Sequence, residues 1–354
     1  RHIVAVARER ACKRLVVNLS SSTSRSAHDG GSIIEQAMQA LVDDLRDQGI
    51  ELHLVLAGGN SFDEMRHAEF KVDGSSPSAA VSMHLPAGSE APGFVTLAID
   101  PGARDLQFGL GRGSHPGPRD WIDVGVDDEG TWRGWPARAP VAWVASAAPR
   151  PGERRIVAVQ FAPTVSFEAQ YPISTPGVWV LALRRKPGSR GRKAVNAGLW
   201  ISRGQPNPGG LDRARQARFI DTDGQYDPCR PLRRCEDDPV PPRSAIRRRG
   251  TLSGMATMAP QAGILVVGSR TARERQPSLY ASDGPTADAR AGPDCWRVTD
   301  CSRSQPGIRV TGVFSGSVIR VEGTSFAAPQ VARDVMNTGR RAKPEGPRRR
   351  RQCG

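Results

Sequence analysis

Long apolar runs are missing from this 354-residue sequence, and no stretch approaches the ~18–20 apolar residues that a bilayer-spanning helix requires. No membrane span is therefore expected. Lysine is scarce: it stands only at positions 13, 71, 186, 193 and 343, so the formal net charge of +14 is almost entirely arginine. Those arginines are spread along the chain rather than gathered into a patch, which argues against a nucleic-acid surface. The one run, Arg348–Arg351, keeps company with Pro344, Gly346 and Pro347, and residues 339–354 read as a disordered tail. An anionic surface is the partner such a tail would take. Cysteine is sparse as well. Cys229/Cys235 and Cys295/Cys301 form two pairs with five residues inside each. That spacing fits small loop disulfides better than a zinc site, which wants closer cysteine pairs and histidine partners. No signal peptide is visible, but the first residue is Arg1 rather than Met, and further sequence upstream is the expectation.

What the chain does have, near its start, is a strand–helix–strand unit. Residues 14–19 (Arg-Leu-Val-Val-Asn-Leu) form a short apolar strand, and Ser20–Gly31 a polar loop. Ser32, with Glu35 three residues on, makes a capping box. Ile34, Met38, Leu41 and Leu45 then line one helix face, and Gly49 ends the helix. Ile50–Ala57 is a second buried strand, running into Gly58-Gly59-Asn60-Ser61. Such a unit implies parallel pairing with a right-handed crossover, and active groups in such sheets gather beyond the carboxyl ends of the strands. Asn18–Ser22 and Gly58–Asn60 both lie at such ends.

From about 75 to 250 the character changes. Short alternating runs at Phe94–Asp100, Trp121–Val126, Val141–Ala145, Ile156–Phe161, Gly177–Leu183 and Ala194–Ser202 are separated by Pro-, Gly- and Arg-rich turns, which argues for an antiparallel sandwich or barrel. Trp121, Trp132, Trp143, Trp179 and Trp200 fall in this region and read as core or strand-cap residues, with a peptide- or carbohydrate-binding face as the alternative. Residues 206–250 are turn-rich. Glu236-Asp237-Asp238 is followed at once by Pro239 and reads as a solvated loop, with a calcium site as the alternative; no cofactor is expected. After Arg249 the α/β pattern resumes with the buried strand Ala262–Gly268.

The stretch around which the rest is organised is Gly323-Thr324-Ser325-Phe326-Ala327-Ala328-Pro329-Gln330-Val331-Ala332. Ala327, Ala328, Val331, Ala332 and Val335 recur at helical spacing, and Pro329 is expected in the first turn, where it is tolerated. Ser325 then sits at a helix N-terminus, where unpaired N–H groups and the macrodipole favour developing negative charge; an N-cap role is the plain alternative. The pattern Gly-Thr-Ser-x-Ala-x-Pro-x-Val-Ala resembles the signature around the nucleophilic serine of the subtilisin-like serine proteases. Leu56-Ala57-Gly58-Gly59-Asn60 is similar to the family's oxyanion-hole strand end, and Asn18-Leu19-Ser20 to the strand that walls its substrate cleft. Ala281-Ser282-Asp283-Gly284-Pro285 and Gly292-Pro293-Asp294 are similar to later family turns.

The resemblance implies a serine endopeptidase acting on protein or peptide, in a secreted or cell-envelope setting. Ser325 would be the nucleophile, Asn60 the oxyanion donor, and Ser20, Ser21, Gly58 and Gly59 would bind substrate. Ser21-Ser22 departs from the family's usual Leu-Gly. The fold implied is α/β: a subtilisin-like parallel sheet flanked by helices, interrupted by an inserted antiparallel β-sandwich-like domain. Its parts would be residues 1–75 and 251–338 for the α/β core and 76–250 for the insert and linker. What the resemblance lacks is its base and carboxylate, since neither Asp-Thr/Ser-Gly nor His-Gly-Thr-His is present. His53, His67, His84 and His115 have no motif around them and read as surface histidines, while His28-Asp29-Gly30-Gly31 lies in a loop before the capping-box helix. The chain is expected to start downstream of those two motifs. A non-catalytic relative whose β insert binds peptide or glycan is the alternative.

Overall fold

The two apolar runs that flank the capping-box helix become adjacent parallel strands in the computed structural model. It describes residues 2–117, 120–124, 128–133, 140–147, 153–166, 173–189, 191, 193–204, 214–221, 244–286 and 290–338. The chain divides into two units. One comprises residues 1–22, 28–63 and 249–354; the other comprises 23–27 and 64–248.

In the first unit, α1 (His2–Glu9) leads into β1 (Arg14–Leu19), and α2 (Ile33–Asp47) links β1 to β2 (Glu51–Ala57). With β15 (Ile264–Thr271) and β16 (Cys295–Asp300) they build a parallel sheet in the order β1-β2-β15-β16. A hairpin, β17 (Ile308–Thr311) and β18 (Val318–Val321), precedes α3 (Thr324–Thr338). Alternate residues of a strand point to opposite faces, and β2 is apolar on both. Leu52, Leu54 and Leu56 cluster with Met38, Val42 and Leu45 of α2, while Val55 and Ala57 cluster with Ala327, Ala328, Val331 and Val335 of α3.

The capping box is present: the Glu35 amide donates to Ser32 Oγ and the Ser32 amide to Glu35 Oε2. The helix face is rotated from the expected one, for Ile34 is exposed and Val42 is buried. Glu35 itself is 1% exposed, because its Oε1 accepts the Thr257 amide at 2.8 Å, the Thr257 hydroxyl at 2.8 Å and the Met258 amide at 3.0 Å. A buried carboxylate needs such donors, and they draw this side of α2 inward. The expected Cys295–Cys301 disulfide is absent; neither cysteine is disulfide-bonded. Extended β16 separates them, and a strand rising ~3.3 Å per residue carries the two Cα atoms well beyond the ~7 Å a disulfide allows. Cys229, Cys235 and Glu236–Asp238 lie outside the described residues.

The second unit is a pair of antiparallel sheets. One runs β14 (Ile246–Arg247), β3 (His67–Val72), β12 (Val195–Ile201), β5 (Gly93–Ile99), β10 (Arg155–Phe161), β9 (Pro140–Ala147), β8 (Asp128–Arg133). The other runs β13 (Arg218–Ile220), β4 (Ser78–Leu85), β11 (Gly177–Arg185), β6 (Leu106–Arg112), β7 (Trp121–Asp123). Their inner faces share one core, with Phe70, Leu97, Ile99 and Phe161 from the first and Met83, Phe108, Leu110, Leu181 and Phe219 from the second. β3 pairs within this sandwich although the sequence reading placed residues 1–75 with the α/β part; its alternating burial marks a two-sided antiparallel strand. Trp179 and Trp200 are buried, and Trp121 is half-buried beneath the Arg184 guanidinium, 3.8 Å from the ring centroid. Trp143 is exposed, so the described tryptophans do not make an open aromatic row.

Candidate functional site

The carboxyl ends of β1 and β2 and the first residues of α3 meet at one edge of the parallel sheet. β2 runs out into Gly58, whose amide donates to the Val267 carbonyl at 2.9 Å and whose carbonyl accepts the Ser253 amide at 2.8 Å. Gly59 follows with φ +112°, a conformation that favours glycine, and a Cβ there would lie 2.9 Å from Ser282 Oγ. The Ser282 hydroxyl is occupied by the Ser61 amide at 2.9 Å, and the Ser282 amide donates to the Gly59 carbonyl at 3.0 Å. The Gly-Gly-Asn-Ser turn is thereby held on both sides.

Asn60 is reached from α3. Its Oδ1 accepts the Thr324 amide at 2.9 Å and the Thr324 hydroxyl at 2.9 Å, while the Gly59 amide donates to Thr324 Oγ1 at 3.1 Å. With the carbonyl end of the amide taken twice, the flip of the side chain is fixed and Nδ2 is the end left over, beside Gly323. No hydrogen bond to Nδ2 exists among the described residues, so this half-buried group keeps both N–H donors available. Gly323 supplies the space: its φ is +123°, and a Cβ on it would lie 3.1 Å from Nδ2.

Ser325 is the second residue of α3 and half-buried. Pro329 lies inside the helix, beyond the expected first turn. A proline has no N–H for the carbonyl four residues back, and that carbonyl is Ser325's. Ser20 takes the vacancy: its hydroxyl donates to the Ser325 carbonyl at 2.9 Å and accepts Asn18 Nδ2 at 3.0 Å. Of the residues singled out in the sequence, Ser325, Asn60, Ser20, Gly58 and Gly59 are therefore joined directly or through Thr324. Ser21 is exposed beside Ser20 and makes no such bond.

Among the described residues, none that would activate a serine is hydrogen-bonded to it: no such bond joins Ser325 Oγ to a histidine or a carboxylate. His28 is buried, and so, against expectation, are His53 and His67. His53 Nε2 lies 3.1 Å from Glu51 Oε1, and His67 stacks on Trp200 with centroids 4.8 Å apart. His84 is half-buried and His115 exposed.

This fold is similar to that of the Clostridium perfringens CspB protease. The likeness is one of fold. The TM-score is 0.60 at 19% sequence identity, over 94% of this chain and 56% of that one. This chain thus spans about half the length of that protease. No protein-family model matches the sequence, and no curated protein sequence matches it.

Two residues essential to the local geometry carry no sequence signal of their own. Thr324 was visible only as part of its motif, and Tyr280 not at all. The Tyr280 hydroxyl accepts the Gly323 amide at 2.8 Å. Burial raises the Tyr280 pKa above the ordinary tyrosine value.

Proposed function

We propose that the α/β unit carries the nucleophile and oxyanion parts of a subtilisin-like serine endopeptidase. Ser325 Oγ attacks the scissile carbonyl, and the oxyanion that forms is received by Asn60 Nδ2 and the Ser325 amide at the start of α3. Collapse of that oxyanion breaks the scissile C–N bond and releases the amine, which takes up a proton, leaving an acyl ester on Ser325. Water then hydrolyses the ester to the free acid and restores the serine hydroxyl. Losing one such side-chain donor typically costs ~10²–10³ in rate. The observation that carries the reading is the double capture of Asn60 Oδ1 by Thr324, the residue before Ser325, which leaves the Nδ2 donors of the amide for another acceptor. The fold of a clostridial protease supports it. Proton transfer from Ser325 requires a base that the described residues do not place against Oγ, so the rate of this chain alone should respond to an added one.

The test is labelling with a fluorophosphonate probe, with and without millimolar imidazole as a free base. The expected result is modification of Ser325 that rises with imidazole and vanishes in Ser325→Ala. Absence of labelling at Ser325 under both conditions would refute the reading as an activity.

A further inference from the structure

A buried polar cluster stands behind the Gly323-Thr324-Ser325 turn, and nothing in the function proposed above uses it. Its centre is Asp300, 3% exposed, at the end of β16. Asp300 Oδ2 accepts the Tyr280 hydroxyl at 2.8 Å, the Ser278 hydroxyl, and the Thr299 hydroxyl at 3.3 Å, while Oδ1 accepts the Gly307 amide at 2.7 Å. Among the described residues no cation pairs with this carboxylate; neutral donors alone satisfy it. Ser269 Oγ and Thr299 Oγ1 each lie 2.9 Å from the Tyr280 oxygen.

We propose that Asp300 and Tyr280 form a positioning relay that fixes the turn presenting Ser325 and, through Thr324, the orientation of Asn60. The geometry assigns the Tyr280 hydrogen. Asp300, as an acceptor, directs the Tyr280 proton toward itself, which turns a phenolic lone pair toward the Gly323 amide. That amide is the backbone group immediately before Thr324, whose own amide and hydroxyl hold Asn60 Oδ1. Gly323 has no side chain to restrain it and sits at φ +123°, so an external anchor on its N–H is what limits its excursions. A fully satisfied buried network of this kind specifies one arrangement of the groups it touches. The relay reaches neither substrate nor reacting atoms. Its role in catalysis rests on the serine-hydrolase reading, whereas its role in holding the turn does not.

The experiment separates the two. Tyr280→Phe removes one hydroxyl and keeps the ring; amide exchange at Gly323 is followed by NMR, and fluorophosphonate labelling of Ser325 is timed on the same samples. Exchange at Gly323 is expected to quicken roughly fivefold, the effect of one ordinary hydrogen bond, while the Thr257 and Met258 amides held by Glu35 stay unchanged. Labelling should slow by a similar factor without a shift in its imidazole dependence. Ser278→Ala, which removes one donor from Asp300 and leaves Tyr280 intact, should give a smaller change in the same direction. Unchanged exchange at Gly323, or faster exchange throughout the α/β unit, would overturn the relay. If the parent chain does not label at all, the hydrolase reading fails, and the Gly323 amide still decides whether the relay exists.

Discussion

Both carboxylates that the described chain buries almost completely, Glu35 and Asp300, belong to the α/β unit, while the described sandwich buries none and is filled by Phe70, Leu97, Phe108, Phe161, Leu181 and Phe219. Each of the two carboxylates gathers several donors from loops. Glu35 takes the 257–258 backbone, and Asp300 takes Ser278, Tyr280 and the Gly307 amide. Apolar burial is non-directional and roughly proportional to area, which suffices to close two sheets on one another. Holding Gly59, Asn60 and Gly323 in one geometry calls for directional partners. The difference teaches that folding and site construction are handled by separate chemistry here, and substitutions should divide along that line.

The largest expected effect is in the sandwich. Phe108 is fully buried between the two sheets, and Phe108→Ala should cost about 3–5 kcal/mol in urea unfolding followed by tryptophan fluorescence. A loss below ~1 kcal/mol would mean that the core closes over the gap, and the contrast with the α/β unit would weaken. Next comes Asn60→Ala, which should slow imidazole-assisted labelling of Ser325 by ~10²–10³ while lowering stability by only about 1 kcal/mol. The control is Asn196→Ala, an exposed sandwich residue whose Nδ2 donates to Asp100 at 2.9 Å. If both asparagines affect labelling equally, the site assignment is wrong. Glu35→Ala should follow at about 2–3 kcal/mol, because the Thr257 and Met258 amides lose their acceptor in a buried place. Faster exchange of those two amides is the accompanying signature, and its absence would detach Glu35 from the 251–258 loop.

The same division explains what could be read from the sequence. The capping box, the β1-α2-β2 unit and the antiparallel character of the middle were legible because they rest on local spacing: Ser32 to Glu35, the alternation of Leu52, Leu54 and Leu56, and short runs between turns. β6 was missed because Gly109 and Gly111 break its apolar alternation; a Cβ at either would meet Pro116 or its neighbours. The helix face of α2 was read one residue out because periodicity counts Ile34 as apolar and cannot know that Glu35 has backbone donors waiting in residues 257–258. His67 was misread for a similar reason, since its partner Trp200 lies far along the chain. At the site, Ser325 and Asn60 were legible through motifs. Tyr280 and Asp300 were not, since a tyrosine hydroxyl becomes an anchor for Gly323 only when residues distant in sequence meet in space.

The smallest effect tests how that meeting is tuned. Ser20 donates to the Ser325 carbonyl, the one to which Pro329 has no N–H to offer, so the two residues should be energetically coupled although they are far apart in sequence. Ser20→Ala should cost about 1 kcal/mol in the parent, the worth of one ordinary hydrogen bond. In a Pro329→Ala background the helix regains an N–H facing the same carbonyl, and the cost of Ser20→Ala should fall toward zero, giving a coupling of about 1 kcal/mol in the double-mutant cycle. A carbonyl has two lone pairs, however, and could accept from both donors at once. Equal costs of Ser20→Ala in the two backgrounds would show that it does so, and that the end of β1 is tied to α3 independently of the proline. Loss of coupling would leave the Ser20 bond in place as a fact of geometry but remove Pro329 as its cause.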